Sequence, residues 1–261
     1  MKRRAAGIHL LLALTLSLLV PGSAFSSPAL QLNIGNGSYV WDTPFDAQDP
    51  GTIVAPAGTN TFTLYAYMRP DTRGINNLTD KYYISAALVP KVGPADQSLG
   101  TFSYQAQGGP STTVLVTEDM TYGVPPIEAN GTAGWDSGDL PKHGIFKTFF
   151  YEIEFQFNSS NQTTIFNTQD YPGKIPSVDL NGNGYFAPFE FNISELDTDY
   201  LLHFDLYNEK ARCGGDYDIE AKAPFSHDAE SRHSVPEAGA LLLFGTGLVG
   251  LVGYRRVRRM Q

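Results

Sequence analysis

Apolar and polar positions alternate with a period of two along much of this chain. Thr61–Met68 sets Phe62, Leu64, Ala66 and Met68 against Thr63, Tyr65 and Tyr67, the pattern of a strand with one face on a core. Thr148–Asn158 repeats it: Phe149, Tyr151, Ile153, Phe155 and Phe157 alternate with Phe150, Glu152, Glu154 and Gln156. Tyr200–Tyr207 places Leu202, Phe204 and Leu206 opposite His203 and Asp205. Further strands are predicted at Ala29–Ile34, at Tyr39–Trp41 beyond the Gly35-Asn36-Gly37 turn, and at Lys81–Val89, which Pro90 stops. Thr101–Gln105 and Thr113–Thr117 read as a hairpin across Gly108-Gly109-Pro110. Residues 42–59 and 123–144 read as loops rich in Pro, Gly and Asn. Helical periodicity is almost absent. Short strands joined by such turns predict an all-β fold, an antiparallel β-sandwich of jelly-roll type, with no internal repeat.

The two ends break this pattern. Lys2, Arg3 and Arg4 precede an apolar run from Ile8 to Val20 and a small-residue exit, Pro21-Gly22-Ser23-Ala24. That order is a secretory signal peptide, cut after Ala24 or Ser26. At the other end Val235-Pro236-Glu237-Ala238 leads into an uncharged run, Gly239–Tyr254, closed by Arg255, Arg256, Arg258 and Arg259. Pro236 keeps the residue before it extended. The apolar run reaches about 25 Å as a helix, the short end of what spans a bilayer. The arginines hold its far end in the cytoplasm. The predicted organisation is a signal peptide and helix at 1–26, a β-sandwich domain at 27–226, a linker at 227–234 and a sorting tail with a transmembrane helix at 235–261.

Charge sharpens the picture once the ends are set aside. Seven of the 18 Lys and Arg residues lie in the terminal signals, and Glu237 is one of 27 acids, which leaves eleven bases against 26 acids, a net charge of −15. Such a domain repels nucleic acid and suits divalent cations and extracellular solubility. Cys213 is the one cysteine, so no intrachain disulfide forms. No Gly-x-Ser-x-Gly, His-Glu-x-x-His, Walker or Cys-x-x-Cys sequence occurs.

The strongest local motif runs from Asp179 through Asn181, Asn183, Gly184 and Tyr185 to Glu190. It matches the calcium-loop spacing D-x-[DN]-x-[DN]-G-x₅-E. Side-chain oxygens at Asp179, Asn181 and Asn183, the carbonyl of Tyr185 and a bidentate Glu190 would make a hard-cation shell, with Gly184 allowing the turn. Two neutral Asn ligands and no entering helix predict low affinity, about 10⁻⁴–10⁻³ M. The same letters also make a plain Asn-Gly turn. Ser226–His233 carries two histidines and two acids, but its spacing matches no zinc pattern, and it reads as a solvated linker. Glu152 and Glu154 stand about 7 Å apart on one strand face; that separation suits a glycosidase pair, and equally any solvent-facing strand. His143 and His203 have no evident partner. The six Asn-x-Ser/Thr sites read as turns.

The C-terminal order of Pro-Glu, apolar helix and arginine cluster resembles the PEP-CTERM sorting signal of Gram-negative bacteria, the tail recognised by an exosortase. Ala238 stands where that signal usually has a second proline. The segments Leu30-Gln31-Leu32, Phe62–Tyr65, Pro141–Phe146, His203–Tyr207 and Ala223–Ala229 together are similar to the choice-of-anchor N proteins. Those are exported domains of unassigned activity, and the resemblance implies no catalytic residue.

The expectation is an exported protein handled by the Sec translocon and an exosortase, with Val235, Pro236 and Glu237 as the processing site. It would pass through the inner membrane to the cell surface or exopolysaccharide matrix and act there structurally or adhesively, as a calcium-supported non-enzyme. The rival readings are a secreted polysaccharide hydrolase using Glu152 or Glu154, and a binding domain that keeps its membrane anchor.

Overall fold

The computed structural model of the protein describes residues 28–40, 51–71, 75–90, 92–95, 99–126, 147–211 and 217–233. The predicted signal helix, the loops around 41–50 and 127–146, Cys213 and the whole sorting tail lie outside the described residues.

Two sheets face each other. The first is built from β1 (Leu30–Ile34), β4 (Thr61–Met68), β11 (Gly184–Asn192), β6 (Thr101–Ala106) and β7 (Ser111–Leu115), in that order, with β10 (Gln162–Thr163) beside β11. The second runs β2 (Ser38–Val40), β3 (Thr52–Val54), β14 (Ala229–Glu230), β12 (Leu201–Ala211), β5 (Lys81–Val89), β9 (Thr148–Phe155) and β8 (Thr121–Gly123), with β13 (Tyr217–Lys222) also on β12. All pairings are antiparallel except β14 with β3. A single helical turn, α1 (Val116–Asp119), follows β7. Among the described residues no helix is long and apolar enough to cross a membrane.

The core lies between the sheets and consists of the alternating positions. Phe62, Leu64, Ala66 and Met68 of β4 meet Phe189 and Phe191 of β11 and Leu202, Phe204 and Leu206 of β12. Aromatic rings interlock there: Phe191 lies 5.6 Å from Phe62 and 4.8 Å from Phe204, and Phe155 lies 4.9 Å from Phe189. Such pairs contribute about 0.5–1.5 kcal/mol each beyond the area they bury.

Where the predicted strands fall on described residues they are present within a few residues of their expected bounds. The loop predicted at 42–59 contains β3, whose three residues are all buried. The segment 227–233, expected as a solvated linker, instead inserts β14 between β3 and β12. His227, Asp228, Ser231 and His233 are buried, and the Ser231 hydroxyl accepts from the Leu202 amide at 2.8 Å. Backbone pairing of Ala229 and Glu230 with two strands outweighs the polar composition that suggested a tether.

The outer face of the first sheet carries its own cover. Residues 164–176 cross it as a strap, with Ile165 and Phe166 packed on Tyr67 and Phe186. Gln31 and Asn33, fully buried on the outer side of β1, pin it. The Gln31 amide donates to the Phe166 carbonyl at 3.0 Å and accepts from the Thr168 amide at 3.0 Å. Asn33 donates to the Lys174 carbonyl at 2.8 Å and accepts from Gly173 at 3.0 Å. An alanine at Gly173 would bring a Cβ within 2.3 Å of the Gly37 carbonyl, and its φ of +73° is itself a glycine conformation. Leu30-Gln31-Leu32 thus alternates for two reasons: leucines for the core, a glutamine for the strap.

Candidate functional site

The calcium-loop residues separate. Asp179, Asn181 and Asn183 share one turn, tied back onto β10. The Asp179 carboxylate accepts from the Thr164 hydroxyl at 2.8 Å and the Asn181 amide at 3.0 Å. These hydrogen bonds hold its pKa below the usual carboxylate value. The Asn183 side chain accepts from the Ile165 amide at 2.8 Å. Tyr185 is already within β11, paired with Gln162 and Met68. Glu190 stands six residues beyond Gly184 on the same extended strand, about 20 Å along it, opposite Thr63 and Gln105. The spacing that closes a twelve-residue loop is here laid out straight. Gly184 serves close packing: an added Cβ would lie 2.2 Å from Ile165 Cγ1.

Glu190 belongs to a shallow groove of about 370 Å³ on the exposed face of the first sheet, lined also by Thr61, Thr63, Gln105, Ser111 and Asn192. Hydroxyls, amides and one carboxylate face a ligand there, with no aromatic platform on the same face among the lining residues. Four exposed large apolar side chains, Tyr171, Ile175, Val178 and Leu180, lie on the strap and the turn that follows it.

The carboxylates considered for hydrolysis lie elsewhere. Glu152 and Glu154 are exposed on the outer face of β9. Glu154 is 2.8 Å from Lys81, which holds its carboxyl below the ordinary range, the wrong direction for a general acid. Glu152 accepts from the Tyr207 hydroxyl.

A different cluster, unanticipated by motif, sits on the outer face of β12. His203 and Asp205, two residues apart on that face, are both buried. The register sets Glu230 opposite His203 and Ser85 opposite Asp205. Asp228, just before β14, completes the group. His203 Nε2 lies 3.7 Å from Asp205 Oδ1 and 3.6 Å from Asp228 Oδ2, and Nδ1 lies 3.9 Å from Glu230 Oε2. The Thr52 hydroxyl donates to the other Asp228 oxygen. Burial disfavours charge on His203, but the three carboxylates around it, Asp228 first, raise its pKa to about 10. Asp228 is pushed well above the usual carboxylate range, first by burial and then by its acidic neighbours, against the pull of His203 and Thr52. Three acids around one base leave the cluster short of positive charge. His227 points elsewhere: Nε2 meets Asn167 Oδ1 at 2.8 Å, and burial depresses its pKa to about 4. The only sequence signal for this cluster was the acid and histidine content of 203–205 and 227–233; nothing local showed that the two stretches are adjacent.

The turn assignment of the Asn-x-Ser/Thr sites is visible at three of them. Asn77, Asn158 and Asn192 each accept, through their side chains, from the amide two residues on, at 2.9 Å.

Val235, Pro236, Glu237 and the arginines at 255, 256, 258 and 259 lie outside the described residues. No curated protein matches the chain. Residues 234–259 match the family model of the PEP-CTERM protein-sorting motif, which makes this an exported protein with an exosortase-type sorting tail, anchored in the membrane on its way toward the cell surface.

Proposed function

We propose that this protein is a non-catalytic surface or matrix component of a Gram-negative bacterium, a β-sandwich of the choice-of-anchor N type released from its membrane intermediate by exosortase processing at Val235-Pro236-Glu237. The sorting motif at 234–259 carries this reading. A structural or adhesive role is supported by the exposed polar groove around Glu190 and the apolar side chains at 171–180. Such a groove suits hydrogen bonding to exopolysaccharide; without a stacking ring, each contact is weak and adhesion depends on many copies. Calcium enters this reading only through the turn: Asp179, Asn181 and Asn183 would hold it, without Glu190. The hydrolase reading gains no support from Glu152 and Glu154, which are exposed and tied to Tyr207 and Lys81.

The test is the mass of the protein released from cells with and without the exosortase. Release lacking 239–261, and membrane retention of the intact tail in the deletion strain, is the expected result. Intact tails in both strains would instead make this a permanently anchored binding domain.

A further inference from the structure

The last strand of the domain runs directly into the sorting motif. Ala229 and Glu230 of β14 are paired on both sides, with Ile53 and Val54 of β3 and with Phe204 and His203 of β12. The Ile53 amide donates to the Asp228 carbonyl at 3.3 Å, and the Ala55 amide to the Glu230 carbonyl at 2.9 Å. On the other side the Ser231 amide donates to the Leu202 carbonyl at 2.8 Å, and the Ser231 hydroxyl accepts from the Leu202 amide at 2.8 Å. Ser231 is fully buried and His233 is 5% exposed. The match to the sorting motif begins at the very next residue, 234.

Almost no chain is left between the fold and its processing site. Pro236 is three residues beyond His233, at most about 10 Å away even at full extension. The apolar run starts at Gly239, only three residues further on. An enzyme that reads Val235-Pro236-Glu237 as an extended peptide needs the flanking backbone free to pair with it. On the domain side that backbone is already committed to β3 and β12. The segment is nevertheless one that can leave. Its ladder is two residues long on each side, and it is the last strand. Without it β12 keeps its pairing with β5 over Leu201–Glu209. Such end segments open locally at a fraction of the free energy of global unfolding.

We propose, resting on exosortase processing at Val235-Pro236-Glu237, that residues 229–233 are a latch on the sorting site. The enzyme cuts chains in which this segment has left β3 and β12. The open fraction of the latch then sets the rate at which folded protein is released, as it does for any cleavage that is slow beside opening and closing.

The experiment follows tail removal from the full chain by pulse-chase in cells that carry the exosortase. Ser231→Ala leaves the buried Leu202 amide without its acceptor and should speed removal about five- to tenfold. A flexible Gly-Ser insertion between His233 and Ser234 should speed it at least as much, and in that background Ser231→Ala should add nothing. Gly184→Ala, which overpacks the other sheet, should leave the rate unchanged. If Ser231→Ala does not fold, the insertion decides, because it keeps every residue of the domain in place. Equal rates for the wild-type chain and the insertion, or an equal acceleration by Gly184→Ala, would overturn the latch. Tails retained in every chain, the insertion included, would overturn the processing at 235–237 on which the latch rests.

Discussion

The Asp179–Glu190 stretch and the His203–Asp228 cluster make opposite use of their polar residues. The first has metal-binding spacing in the sequence, and the fold draws it out along a strand until its last acid stands about 20 Å from its turn. The second has no recognisable spacing: its two halves, 203–205 and 228–230, are separated by more than twenty residues, and strand register gathers them within 4 Å of one ring. Spacing along a chain is informative about geometry in a loop. On strands the spacing that matters runs across the sheet.

The largest contrast should come from breaking the buried cluster. Asp228→Ala leaves His203 charged beside fewer carboxylates, and losses of about 3–5 kcal/mol in urea unfolding are expected. Asp179→Ala removes a half-buried group on a surface turn, and its unfolding midpoint should barely move. A similar loss in both would erase the distinction.

Gly184→Ala probes what the turn glycine does. A Cβ 2.2 Å from Ile165 predicts a cost of about 1–3 kcal/mol from overpacking, unchanged by calcium. Calcium-dependent destabilisation would return this glycine to a metal loop.

The pH dependence separates His203 from His227. His203 has a folded pKa near 10, above the unfolded value of about 6.5. Its contribution is full below pH 6.5 and is lost as pH rises toward 10. His227, near 4, contributes stability that is full above pH 6.5 and is lost as pH falls toward 4. His203→Gln should therefore flatten the alkaline limb of a stability profile and His227→Asn the acid limb. The reverse assignment would mean that burial dominates at His203 and nearby acids at His227.

The smallest effect is calcium itself. At about 1 mM, close to the Kd expected of an open turn, melting temperature should rise by about 1 °C, and Asp179→Ala should abolish the rise. A rise of 5 °C that survives the variant would place calcium elsewhere.

The amino-acid sequence by itself determined what depends on local period and order. Alternation in 61–68, 148–158 and 200–207 specified strands and the face each gives to the core, because side chains on a strand take opposite faces in turn. The order of Pro-Glu, apolar run and arginines within 234–259 specified export and sorting, because sorting machinery reads linear signals. Tertiary structure decided the rest. Only pairing with β3 and β12 makes 229–230 a strand, since a two-residue segment has too little local preference to form one. Only the register of β12 with β5 and β14 places Asp205 beside Ser85 and His203 beside Glu230. Only the strap explains why Gln31, polar and within a strand, is fully buried. Burial of a polar residue is a property of what lies opposite it, and that partner can come from anywhere in the chain.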